Sequence, residues 1–132
     1  MTEAGAFCRI FVDGGLRATR VVLEAAIGER FVDGEAVLAE AAVEVRRNED
    51  AVAGAADFLF WPVTVEVDFP PGSAPGGAVA LVTRMLLALH GAGRPAVAAC
   101  DFEDELPWRG GIGLYGPDAV KCGPESARPL EG

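Results

Sequence analysis

Histidine occurs once in this chain, at His90, and lysine once, at Lys121. With a single histidine and no motif around it, no Ser/His/Asp or Cys/His constellation can be assembled. The three cysteines, Cys8, Cys100 and Cys122, show no CxxC spacing and have no histidine partners. That excludes a zinc site of the usual Cys/His kind, and the cysteines read as buried, reduced thiols. No apolar run reaches the roughly 18–20 residues of a membrane span. The start, Met1 to Ala6, has neither the basic stretch nor the apolar stretch of a secretory leader. These absences predict a cytoplasmic protein without a cofactor, and catalysis is not expected of it.

What is present fits one folded domain. The chain has 132 residues, of which 51% are hydrophobic, too apolar for intrinsic disorder and enough for a core without disulfide staples. Twenty acidic residues face eleven basic ones, a net charge of −9. From Pro107 onward, Arg109, Lys121 and Arg128 balance Asp118, Glu125 and Glu131, so the whole excess lies in residues 1–106. A domain so charged repels phosphate backbones, which argues against nucleic acid, and steers towards a basic protein.

The hydrophobic pattern predicts six elements. Ala6 to Val12 alternates with period two and reads as a strand. Arg17 to Ile27 carries a helical apolar stripe and stops at Gly28, a C-terminal cap glycine. Val37 to Arg46 reads as one strand, followed by a polar turn from Arg47 to Asp50. Phe58 to Phe69 is the strongest strand, with Pro62 predicting a bulge or a true start near Val63. Ala78 to His90 reads as a helix and Ala96 to Phe102 as the last strand. The single histidine falls in the last helical turn, where a positive charge suits the helix dipole.

This order is that of an α+β, ferredoxin-like βαββαβ sandwich, a four-stranded antiparallel sheet with two helices on one face. The competing arrangement is an α+β sandwich in which residues 29–36 add a strand. Residues 1–106 form the domain, and 107–132 form a Gly/Pro-rich tail that packs on it or trails from it. Within the tail, Gly111 to Gly116 matches GxGxxG formally, but without the strand and helix that give the motif meaning.

Side-chain alternation then assigns two faces. Cys8, Ile10, Val12, Val43, Val45, Trp61, Val63, Val65, Val67, Ala98, Cys100 and Phe102 are expected under the helices. Phe7, Arg9, Phe11, Phe58, Phe60, Thr64, Glu66 and Asp68 are expected on the open face, flanked by Glu40, Glu44, Arg46, Asp101 and Glu103. Aromatics ringed by charge mark an interaction surface. The candidate partner-binding residues are Asp101, Glu103, Asp104, Glu105, Glu66, Asp68, Phe7, Phe11 and Phe60. Three occupants fit that face: the C-terminal tail with Trp108, Leu114 and Tyr115, a second copy of the chain, or a foreign partner. The acidic run could also be a solvated edge that prevents aggregation, or a site for a hard cation. The leading functional reading is a small acidic binding protein that docks on a basic protein, as inhibitors and immunity proteins do. The alternative is a small-molecule-binding or enzymatic dimer with a pocket between sheet and helices.

Overall fold

The computed structural model describes residues 7–72, 75–100 and 102–111, with the side chains of Pro75 and Glu103 left aside. Alternation in Phe7–Val12 gives β1. The turn Asp13 to Gly15 releases the chain into α1, Leu16–Ile27. Gly28 ends α1 in the left-handed region, its N–H donating to the Glu24 carbonyl at 2.9 Å, as its position predicted. The Glu24 carboxylate accepts from the Phe31 amide at 2.8 Å and ties down the chain that follows.

The predicted strand Val37 to Arg46 is instead a hairpin. Its arms are β2, Glu35–Val37, and β3, Ala42–Arg47, joined by the loop from Leu38 to Ala41. A second tight turn, Asp33 and Gly34 at φ 55° and 85°, links Val32 to Glu35. Positive φ at both positions suits an Asp-Gly pair and matches the twist of the strands it joins. Among the described residues the added strand makes the sheet five-stranded rather than four-stranded, close to the competing arrangement.

Pro62 does mark the boundary that its missing amide implied. β4 runs over Val63–Asp68, and Phe58–Phe60 before it is a 3-10 turn. α2 spans Pro75–Gly91, and β5 spans Ala96–Cys100, two residues short of the expected end. Two further 3-10 segments follow, Glu103–Glu105 and Pro107–Gly111.

All pairings among the described strands are antiparallel, in the order β2-β3-β4-β1-β5. Ile10, Val12, Val43, Val45, Val63, Val65 and Val67 pack in one core with Leu23 of α1 and Leu81, Val82, Met85, Leu86 and Leu89 of α2, so both helices cover one face. Each of the large side chains fully buried there contributes roughly 1.5–3 kcal/mol by leaving water. The protein is thus an α+β fold. Among the described residues no helix is long and apolar enough to cross a membrane.

Trp61 departs from its expected face. The 3-10 turn that replaces the start of the long strand breaks the alternation, and Trp61 packs with Phe11 and Val97 on the side away from the helices. Phe102 leaves strand geometry as well, meeting Phe69 edge to face at 6.5 Å.

Candidate functional site

Strand register lays out the open face as rows. In one row Glu35 stands opposite Glu44, Glu44 opposite Glu66, Glu66 opposite Arg9, and Arg9 opposite Ala99. In the row on one side are Arg46, Thr64, Phe11 and Val97; on the other are Val37, Ala42, Asp68 and Phe7. Directly opposed side chains share a face, so three glutamates lie side by side across β2, β3 and β4.

Like charges in such positions oppose pairing, and two arginines offset this at one end. The Arg9 guanidinium lies 3.2 Å from Glu66 Oε2 and 5.7 Å from the Phe7 ring centroid. Arg46 bridges Glu66 at 3.7 Å and Glu44 at 4.0 Å. The Glu66 side chain is only 18% exposed, so it acts as the anchor of both arginines. Glu35 makes no ion pair among the described residues, and the row is least neutralised at its β2 end.

The far end of the face is covered by the chain itself. Asn48, expected in a polar turn, is buried at the end of β3. Its Nδ2 donates to the carbonyls of Leu59 at 2.9 Å and Trp61 at 2.7 Å, while its Oδ1 accepts from the Asp50 amide at 2.9 Å. Its own amide donates to the Pro62 carbonyl at 2.8 Å. This folds residues 48–62 over the sheet. Phe58 then meets Phe11 edge to face at 5.4 Å, and Trp61 meets Phe58 at 6.4 Å. Phe11 is buried beneath this cover, whereas Phe7 and Phe60 remain 41% and 38% exposed. A groove of about 490 Å³ runs between the loop and the uncovered strands, lined by Arg9, Arg46, Arg47, Asn48, Phe60 and Glu66 among others.

The expected acidic run is divided. β5 is described to Cys100, and the 3-10 turn holds Glu103, Asp104 and Glu105 beyond it instead of on the expected strand. Asp101 lies outside the described residues. Asp104 and Glu105 are exposed, and Asp104 approaches Arg109 at 3.8 Å. Glu66, Asp68, Phe7 and Phe11 are therefore brought together on the sheet, with Phe60 beside them on the loop. Glu35 was missed because its strand was; the adjoining Asp33-Gly34 pair was the signal that could have found it.

The tail begins by packing against α2 and β5. The Trp108 ring lies 4.9 Å from that of His90. A carbonyl can only accept, so the His90 Nε2–H donates to Ala96 O at 3.0 Å. Burial lowers the His90 pKa, against the opposing pull of that hydrogen bond. The ring is thus biased towards its neutral form, contrary to the positive charge expected from the helix end. Leu114 and Tyr115, the rest of the expected tail cover, lie outside the described residues.

Among the described residues no three His, Cys, Asp or Glu side chains converge as metal ligands would. Comparison with family models, curated proteins and solved structures finds no match.

Proposed function

We propose that this protein is a non-catalytic, cytoplasmic binding protein of ferredoxin-like topology, carrying β2 as an added strand, and that its open sheet face docks a basic protein partner. One observation carries the reading: the cross-strand row Glu35, Glu44 and Glu66, with Asp68 and the exposed rings of Phe7 and Phe60 beside it. An incoming lysine or arginine meets the unneutralised β2 end. The two phenylalanines supply apolar contact of the kind that anchors interfaces. Phe11 supports the face from beneath, and the Asp101–Glu105 run adds acidic charge that steers approach. The space between sheet and helices is filled by the core side chains, which does not favour the alternative of a ligand held there.

The test uses the immobilised full chain to retain a partner from its native lysate. The partner is then purified and titrated against variants at two salt concentrations. Glu35→Gln with Glu44→Gln should weaken binding by about tenfold or more, roughly 1.4 kcal/mol per tenfold, and flatten the salt dependence. Glu29→Gln with Val21→Lys, which shifts the net charge by the same amount at the exposed end of α1, on the helix-covered side, should leave affinity close to the parent. Equal losses in the two double variants would reduce the face to a share of the net charge and sink the reading.

A further inference from the structure

Cys8 and Cys100 were both expected under the helices; the register makes them direct opposites across β1 and β5. Directly opposed residues of an antiparallel pair point to the same side, with Cα atoms roughly 4.5 or 5.5 Å apart according to the hydrogen-bond pattern. Both spacings fall inside the roughly 4.4–6.8 Å window of a disulfide. Both residues face the helices, Cys8 within the core and Cys100 packed at its margin. Their surroundings differ in the way a two-step oxidation needs. Cys8 has no exposed surface, whereas Cys100 is half-buried and within reach of a reagent. Among the described residues the pair also sits at the end of its ladder. Cys100 is the last residue of β5, which there pairs with β1 alone, and Cys8 is the second of β1. Strand ends open at low cost, which gives the buried thiol its chance to lose a proton.

We propose that Cys8 and Cys100 form a reversible dithiol–disulfide site whose oxidant is a small-molecule disulfide of the glutathione class. The Cys100 thiolate attacks one sulfur of the oxidant. A mixed disulfide forms at Cys100, the oxidant's S–S bond breaks, and the first small thiolate leaves and takes up a proton. The Cys8 thiol then loses its proton and attacks Cys100 Sγ, expelling the second small thiolate. The two protein thiols lose two hydrogens in all, and one small disulfide becomes two small thiols, so atoms and electrons balance. Excess small thiol reverses both steps. The product staples the edge strand to the centre of the sheet and closes most of the chain into a loop, which restricts the unfolded state and stabilises the folded one.

The experiment uses the full chain with Cys122→Ser, so that the third thiol cannot compete. The reduced protein is incubated with oxidised glutathione and followed by intact mass, peptide mapping and thermal melting. The expected result is loss of two hydrogens, a Cys8–Cys100 linked peptide, a higher Tm, and full reversal by reduced glutathione. With Cys8→Ala added, a stable glutathione adduct should accumulate on Cys100. A glutathione adduct that persists on Cys100 while Cys8 is present, or a protein that stays fully reduced, would overturn the proposal. The Cys122→Ser protein decides this by itself if the Cys8→Ala variant does not fold.

Discussion

Asn48 shows how much one side chain can organise. Its amide group closes two carbonyls that the 3-10 turn and Pro62 leave without a ladder, and its oxygen holds the first bend of the loop. Asn48→Ala leaves the buried Trp61 carbonyl without this donor, at a cost of about 1–3 kcal/mol. Urea unfolding should show that loss in its midpoint. His90 makes a second prediction at this scale. Its folded pKa is lowered from 6.5, so below that pH the unfolded chain binds protons more readily than the folded one. Its contribution is intact above the unfolded pKa and is lost as pH falls through the folded one. The slope of stability against pH just below 6.5 should flatten in His90→Gln, measured by denaturant titration from neutral pH downwards.

At the scale of elements, periodicity revealed the strands and concealed their joints. β1, β4 and β5 repeat apolar residues every second position, and the helices carry clear stripes, so all were legible. The β2–β3 hairpin was not, because its loop, Leu38 to Ala41, contains no glycine, proline or asparagine and continues the alternation across the turn. Trp61 was misplaced for the related reason that the period carries no information past a 3-10 turn. Of the candidate face, Phe7, Phe11 and the β4 acids were legible from alternation alone, whereas Phe60 lies in the 3-10 turn where alternation carries no information. The loop that buries Phe11 was not, since Asn48 in a run of polar residues reads as solvent-exposed. That loop is held by a small aromatic cluster and one amide, apart from the main core. Trp61→Ala should therefore speed hydrogen exchange in residues 48–62, while α1 and α2 keep their protection; uniform acceleration would show that the loop and core unfold together.

For the whole molecule, charge is the dominant variable. A net −9 confined to residues 1–106 repels itself, and half-exposed bridges such as Arg46 to Glu44 offset little of it. Added sodium chloride should raise Tm most steeply below about 0.15 M, where screening lengths are longest. Calorimetry at fixed pH would show the rise, and it should shrink in the Glu35→Gln, Glu44→Gln protein. The sheet order has a consequence for synthesis. β1 lies between β4 and β5, and these partners leave the ribosome in that order. One edge of β1 can be satisfied when β4 emerges, but the other stays open until residues 96–100 are made. Among the described strands the first translated waits for the last, so a nascent chain halted within α2 would present the β1 edge, with Ile10 and Phe11 on it, to chaperones or to neighbouring chains.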